Sequence, residues 1–490
     1  MALDLLSVEK PARYMGGEMG SVVKEQADLR ITLAFPDVYE VGMSHLGLRI
    51  LYQALNAREG IAAERVYAPW PDMATQMAAQ QAPLVTLETG TPLAQTDIIG
   101  FTLQYELSCT NILTMLRQAG VPLHAAQRDR HWPLVIGGGP GAYNPEPLAP
   151  FFDAFLLGDG EEAVLEIADC VRRWKQAGSG DRRQLLEALA GITGVYVPSF
   201  FEVSYLDDGR IAAVTPRQPA SATVRRRFLT DIETASFPDS PVIPFMKTIH
   251  DRVAIEVARG CTRGCRFCQA GYIYRPLRER SAARITELID RSLQQTGYDE
   301  VSLLSLSTGD YSNIAPLLQE LMARHAQSRV AVSLPSLRVG SLTPELIDEI
   351  RKVRKTGFTL APEAGTERLR QVINKGITEQ DLLDGAYNIY GAGWRLIKLY
   401  FMMGLPTETA EDLQAIPELA RQVKAQARRA GGHGDVNVAV STFVPKPHTP
   451  FQWQQQLSLE ETRERQRFLK EELRRRKLHF KYQDAELSFM

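Results

Sequence analysis

The chain has 490 residues, with 56 lysines and arginines against 58 aspartates and glutamates, so its formal net charge is −2. Its 44% hydrophobic and 23% charged residues exclude disordered, collagenous and coiled-coil classes. No run of about 18 apolar residues offers a membrane span, and near-neutral charge speaks against coating nucleic acid through a bulk electrostatic field. At roughly 150 residues per domain the length calls for about three folding units. The stretch Met1-Ala-Leu-Asp-Leu-Leu6 lacks a basic region followed by an apolar core, so no secretory signal is expected. The 5 cysteines are odd in number and too sparse for a disulfide framework, which points to a reducing cytoplasm. Cys109 and Cys170 stand alone, whereas Cys261, Cys265 and Cys268 crowd into one short stretch.

In chain order, Leu29–Phe35 is a short apolar strand, and Gly47–Leu55 is a helix with Leu48, Leu51, Tyr52 and Leu55 on one stripe. Leu84–Leu87, Asp97–Leu103, Pro133–Ile136 and Ala154–Leu157 read as further strands. The fourth strand runs into Gly137-Gly138-Gly139-Pro140-Gly141, and the fifth into Gly158-Asp159-Gly160 before a helix over Glu161–Trp174. This alternation predicts an α/β fold with a doubly wound, Rossmann-like parallel sheet over 25–175, after an N-terminal arm at 1–24. Residues 176–245 read as a connector with a small β element, because Phe200–Leu206 and Ile211–Val214 flank the hairpin signal Asp207-Asp208-Gly209.

From Val253 the alternation resumes. Strands are expected at Val253–Val257, Val301–Leu306, Val330–Leu334, Phe358–Ala361, Leu396–Phe401 and Val436–Phe443. Five helices separate them, the third opened by Thr343-Pro344 and closed by Gly357. Six strands predict a partial, TIM-like (β/α)6 barrel over 246–455, with its chemistry at the C-terminal strand ends. A basic helix and tail fill 456–490, and Glu461–Lys481 holds nine Lys or Arg against four Glu. An amphipathic helix with Phe468, Leu469 and Leu473 packed inward explains it; a surface for RNA phosphates or an acidic partner is the alternative.

Cys261-Thr-Arg-Gly-Cys265-Arg-Phe-Cys268 carries the strongest chemical signal. Three soft thiolates on a short glycine-bearing loop suit an iron–sulfur cluster, and three ligands leave one of four irons open. Zinc would need a fourth ligand, and no histidine lies in the loop. With Phe267 before the last cysteine, and placed directly after the first barrel strand, this loop resembles that of the radical S-adenosylmethionine (SAM) superfamily. The resemblance implies a 4Fe-4S cluster on Cys261, Cys265 and Cys268, SAM chelated to the open iron, and its cleavage to a 5′-deoxyadenosyl radical. It also implies SAM contacts at later strand ends. Thr308, Gly309 and Asp310 stand after the second strand, a loose match to a Gly-Gly-Glu-like turn. Arg338 follows the third strand and would pair a SAM carboxylate. Glu363 follows the fourth, and Lys398 lies on the fifth, which ends in Gly404-Leu-Pro-Thr-Glu-Thr409.

Phe35–Gly47, Gly137–Gly141 and Gly158–Glu162 resemble cobalamin-binding domains fused ahead of radical SAM barrels. Glycine-rich turns at the C-terminal edge of a parallel sheet let a planar ligand approach the backbone. Ordinary tight turns or a nucleotide site are the alternatives, although the GxGxxG of a dinucleotide site is missing after the first strand, which ends in Pro36-Asp37. The resemblance places Tyr39, Met43, Ser44, His45, Gly137, Gly138, Gly139 and Gly158 at cobalamin. The Asp-x-His-x-x-Gly pattern of a cobalt-ligating histidine is absent, because Met43 and Leu48 occupy its Asp and Gly positions. His45 is therefore read as a structural or wall residue. Cys109 either faces the corrin or packs as a small hydrophobe.

Taken together, the chain resembles the cobalamin-binding radical SAM protein family. That resemblance implies two domains facing one another around a cavity shared by SAM and cobalamin. It implies methylation of an unactivated carbon through methylcobalamin and the 5′-deoxyadenosyl radical, with a flavodoxin or ferredoxin as electron donor. Rearrangement, cyclisation or methylthiotransferase-like sulfur insertion are alternatives, the last because Phe443–Phe451 resembles the barrel ends of methylthiotransferases; a non-enzymatic redox or cofactor sensor is another. Relatives extend beyond Asp484–Phe489, which leaves a truncated chain or a lost domain open. No motif identifies a catalytic side chain or the substrate.

Overall fold

The computed structural model describes residues 3–217, 220–325, 327–334, 339, 347 and 358–490. The chain divides into two units, Met1–Asp251 and Arg252–Met490.

The first unit is built on β1 (Leu29–Phe35), β2 (Ile61–Tyr67), β3 (Ile98–Thr102), β4 (Leu134–Gly138), β5 (Ala154–Leu156) and β6 (Val195–Tyr196), in the order β2-β1-β3-β4-β5-β6. The first five are parallel and β6 runs antiparallel to β5. Side chains alternate into two apolar layers. Ile31, Leu33 and Phe35 join one core with Leu48, Tyr52 and Ile167, while Ala34, Ile99 and Phe101 join another with Met73, Ile112 and Met115. A sheet covered on both faces gives near-continuous apolar strands, which is why β1 and β3 are plain in the sequence. Chain order reverses between β1 and β3, so the loops after these two strands part and leave a crevice at their C-terminal ends.

The expected strand Leu84–Leu87 does not form; Val85 makes only an isolated bridge to Pro92. The second strand is β2, fully buried despite carrying Glu64 and Arg65. Arg30 pairs with Glu64. Arg65 lies between Glu18 at 2.8 Å and Glu88 at 2.6 Å. The stretch expected as a connector holds a helix, Arg182–Ala190, and then β6, so the sheet continues past residue 175. The hairpin β7 (Phe201–Tyr205) and β8 (Ile211–Pro216) forms as the Asp-Asp-Gly signal indicates.

In the second unit β9 (Val253–Glu256) leads into a small antiparallel pair, β10 (Ala258–Arg259) and β11 (Arg278–Glu279). β12 (Glu300–Leu304), β13 (Ala331–Ser333), β14 (Phe358–Glu363), β15 (Leu396–Met403), β16 (Asp435–Thr442) and β17 (His479–Tyr482) follow. Two parallel sheets result, β13-β12-β9 and β14-β15-β16-β17. Among the described residues the barrel thus has the six expected parallel strands and a seventh, β17, within the stretch read as basic helix and tail.

Helices Ala282–Thr296, Ile314–His325, Glu379–Gly391, Ala410–Arg429 and Leu459–Arg475 return the chain between strands. Thr378, Thr409 and Ser458 each open one with a reciprocal capping box. Along β15, Ile397, Leu399, Phe401 and Met403 are buried, whereas Lys398 and Tyr400 face the other way and are exposed. In the basic helix Leu469 and Leu473 are buried and Phe468 half-buried. Several of its arginines are engaged in ion pairs, Arg463 with Glu486, Arg465 with Glu408 and Arg476 with Glu472. Of the expected third barrel helix only Ile347, which is buried, lies within the described residues; Thr343, Pro344 and Gly357 lie outside them, as does Arg338. Among the described residues no helix is long and apolar enough to cross a membrane.

Candidate functional site

The cysteine loop springs from β10 through Gly260, whose φ of +94° and close approach to the Tyr274 and Pro276 carbonyls, 2.7 and 2.6 Å from any added Cβ, admit only glycine. The loop is then held along its length. Arg275 Nε donates to the Cys261 carbonyl at 3.3 Å, and Asn374 Nδ2 donates to the Gly264 carbonyl at 2.9 Å. The Arg266 amide donates to the Ile373 carbonyl at 3.0 Å. Phe267 packs against the small core of Ala364, Leu369, Ile373, Leu405, Phe443 and Phe451 beyond the strand ends. The aromatic residue before the last cysteine is thus an anchor for the loop.

All three thiols are half-buried. The Arg263 amide donates to Cys261 Sγ at 3.5 Å. Burial pushes the Cys268 thiol up, against an opposing pull from the Gly271 amide. No three His, Cys, Asp or Glu among the described residues converge tightly enough for a single metal ion. Three soft donors spread along one braced loop fit a polynuclear cluster, in which each thiolate takes its own iron.

The strand-end residues divide. Thr308 is fully buried and donates to the Leu303 carbonyl at 3.2 Å, so its side chain closes its own turn. Gly309 lies beside it in the same short turn. Asp310 accepts from Arg263 Nε at 2.8 Å and from Ser307 Oγ at 2.6 Å, so this carboxylate braces the cysteine loop. Glu363 ends β14 with a φ of +68°, and it pairs with Lys375 at 3.0 Å. Burial raises the Glu363 carboxyl, and Lys375 opposes that shift. Lys398 is the third residue of the eight-residue β15. It therefore sits about 16 Å before the strand end. It stands on the exposed face of that strand, which is the strand where the sequence places it. Arg263, Asn374 and Lys375 are the residues that sequence reasoning missed. Arg263 stood in plain view between two of the cysteines, whereas Asn374 and Lys375 carry no periodic signal.

At the edge of the first unit's sheet, Tyr39 and Met43 are buried core residues, and Met43 lines a cavity with Arg49 and Tyr52. The Tyr39 hydroxyl donates to Glu18 at 2.9 Å, and Met43 Sδ accepts from the Tyr67 hydroxyl at 3.0 Å. Ser44 Oγ donates to the Glu40 carbonyl at 2.8 Å and accepts from the His250 amide at 3.0 Å. His45 caps helix Leu46–Asn56, Nδ1 accepting from the Leu48 amide at 3.0 Å. Its proton is then on Nε2, and Gln104 is its side-chain partner. Burial lowers the ring's pKa to about 4, although part of the residue's surface is accessible. Nδ1 is thus engaged by the helix backbone.

The glycines also divide. Gly137 is pressed between Phe155 and Leu103, at 2.8 and 2.9 Å from an added Cβ. Gly158 lies against Arg227, whose carbonyl oxygen is 1.8 Å from an added Cβ, so the connector covers the face expected to hold a ligand. Gly138 opens onto free space, and Gly139, at φ +101°, passes over Gln104 and the Leu103 carbonyl. Cys109, half-buried, opens helix Cys109–Gln118. Gly138, Gly139, Gln104 and His45 thus surround the C-terminal ends of β1, β3 and β4. This glycine-lined edge fits a broad flat ligand.

Residues 47–198 match the family model for the N-terminal region of radical SAM proteins, and residues 255–420 match that of the radical SAM superfamily. An uncharacterized protein of Methanocaldococcus jannaschii is 27% identical over 423 residues, spanning 86% of this chain and 79% of that protein. The ribosomal protein uS12 methylthiotransferase RimO of Desulfotalea psychrophila is 26% identical over 203 residues, 38% of this chain and 43% of that protein. The solved structure of the radical SAM methyltransferase TsrM from Kitasatospora setae, with cobalamin and a [4Fe-4S] cluster bound, aligns with a TM-score of 0.54 at 17% identity. It covers 86% of this chain and 77% of that one. With matches to both halves, and a fold shared with a cobalamin-binding member, the chain belongs to the radical SAM superfamily, among the enzymes that carry an N-terminal sheet domain ahead of the barrel.

Proposed function

We propose that this radical SAM enzyme uses cobalamin as well as SAM and methylates an unactivated carbon of its substrate. The observation that carries the reading is the cysteine loop. Its three thiols are half-exposed, and its backbone is fixed at Cys261, Gly264 and Arg266 by partners from outside the loop. When bound, a reduced cluster supplies the electron that splits SAM to a 5′-deoxyadenosyl radical, and the corrin supplies a transferable methyl group. The chain's own part is positioning. Cys261, Cys265 and Cys268 hold the cluster, Asp310 fixes the loop through Arg263, and Phe267 seals the loop's inner side against water. Gly138 and Gly139 offer the corrin a backbone surface free of side chains. His45 keeps its Nε2 proton on Gln104 and stays neutral at pH 7. TsrM, bound to cobalamin and a cluster, supports this cofactor pair.

The similarity to a methylthiotransferase favours a second reading, in which sulfur is inserted before methylation. A flavodoxin or ferredoxin in the cytoplasm would supply the electrons in either case. Reduced enzyme supplied with deuteromethyl SAM separates the readings once a substrate is in hand. A labelled methyl on carbon supports the first, a labelled methyl on inserted sulfur the second, and a product without label contradicts both.

A further inference from the structure

The carboxylate that ends β14 and the cation facing it have no part in the chemistry described so far. Glu363 and Lys375 pair at 3.0 Å with side chains only 15% and 13% exposed, so solvent screens their charges weakly. Glu363 holds a φ of +68°, a conformation that non-glycine residues seldom keep without a surrounding structure that fixes it. Lys375 belongs to a turn whose three consecutive residues all meet the cysteine loop. The Ile373 carbonyl accepts from the Arg266 amide at 3.0 Å. Asn374 holds the Gly264 carbonyl at 2.9 Å. Lys375 Nζ stands 5.9 Å from the ring centroid of Phe267, the neighbour of Cys268. Of the other cations at the loop, Arg263 is matched by Asp310 and is 44% exposed, so its influence is more strongly screened, while Arg266 and Arg275 donate to the Val372 and Cys261 carbonyls.

We propose that Lys375 is a positioning residue that holds a positive charge on the Cys268 side of the cysteine loop, and that the Lys375–Glu363 pair sets the reduction potential of the cluster bound there. The inference rests on the reading that the three cysteines hold that cluster. Reduction adds one negative charge, so a fixed cation nearby stabilises the reduced form more than the oxidised one. Glu363 tempers this cation, and the two side chains therefore act in opposite directions.

The test is spectroelectrochemical titration of the full chain, reconstituted anaerobically with iron and sulfide, against a one-electron chemical reductant. Lys375→Met is expected to lower the ratio of reduced to oxidised cluster at a fixed potential at least tenfold, a midpoint shift of about 59 mV downward for a one-electron couple. Lys375→Arg is expected to restore the midpoint, and Glu363→Gln to move it upward. If Lys375→Met fails to assemble a cluster, Glu363→Gln decides the matter: an upward shift supports the proposal and an unchanged midpoint overturns it. Unmoved midpoints in both variants at full iron content also overturn it. A wild-type chain that assembles no cluster refutes the reading of the cysteines instead.

Discussion

Arg65 on β2 offers the sharpest test of how the N-terminal sheet tolerates charge in its interior. Its side chain is 3% exposed and bridges Glu18 and Glu88, which are 1% and 0% exposed. Burial pushes the Glu18 carboxyl up, but the Arg65 charge and hydrogen bond outweigh it and hold the carboxyl below its ordinary range. Arg65→Met strands two carboxylates. Breaking a buried pair of this kind costs about 3–5 kcal/mol. The Tyr39 hydroxyl remaining on Glu18 and the backbone amide of residue 65 remaining on Glu88 keep the loss within that range. The pH dependence should also change sign. In the wild type, Glu18 contributes stability above the unfolded carboxylate pKa that is lost as pH falls. In Arg65→Met, burial outweighs the remaining hydrogen bonds, the folded pKa rises, and stability is lost as pH rises through it. Because the chain has two units, a single unfolding curve is not a two-state measure. Hydrogen exchange over Ile61–Tyr67 reads the local free energy at pH 5 and pH 7.5. A loss below about 1 kcal/mol, or a variant that still gains stability as pH rises, refutes the electrostatic reasoning.

Replacing Glu18, Arg65 and Glu88 together by Gln, Met and Gln should recover most of that loss in the same assay, since no carboxylate is left unpaired. His45→Ala should cost about 1 kcal/mol by removing the helix cap, with His45→Asn restoring it, as read by hydrogen exchange over Leu46–Asn56. The wild type, relative to His45→Asn, should lose stability as pH falls from 6.5 to about 4, because the folded ring resists protonation. Gly158→Ala should lower the melting temperature by several degrees, because its Cβ would lie 1.8 Å from the Arg227 carbonyl. Gly138→Ala, with open space, should change stability by no more than about 0.5 kcal/mol. Asp310→Asn should speed hydrogen exchange over residues 261–268 while moving the melting temperature by less than about 4 °C, since the Arg263–Asp310 pair is partly exposed.

Strands buried on both faces, such as β1, and helices opened by Thr or Ser three residues before an acid, such as Glu379–Gly391, are legible because local pattern and tertiary role agree. β2 was hidden for the opposite reason. Glu64 and Arg65 break its apolar run, and their partners Glu18, Arg30 and Glu88 lie far along the chain or on another strand. β17 was hidden by its exposed His479 and Lys481, which read as a continuation of the basic helix. The cysteine triplet was legible because its chemistry is local. The acids at the strand ends were visible as well, but their work was not. Asp310 and Glu363 are bound to Arg263 and Lys375, pairings that no spacing encodes. Glycines of equal prominence, Gly138 and Gly158, likewise differ only in what faces them, open space in one case and the Arg227 backbone in the other.

The most direct measurement is the absorption spectrum of the anaerobically prepared chain beside its Cys261→Ala, Cys265→Ala, Cys268→Ala triple variant, both supplied with iron, sulfide and cobalamin. Iron–sulfur charge-transfer bands together with corrin bands are expected in the wild type, and corrin bands alone in the variant. Equal iron–sulfur absorption in the two proteins, or the absence of corrin bands from both, would contradict a cobalamin-dependent radical SAM enzyme with its cluster on these cysteines.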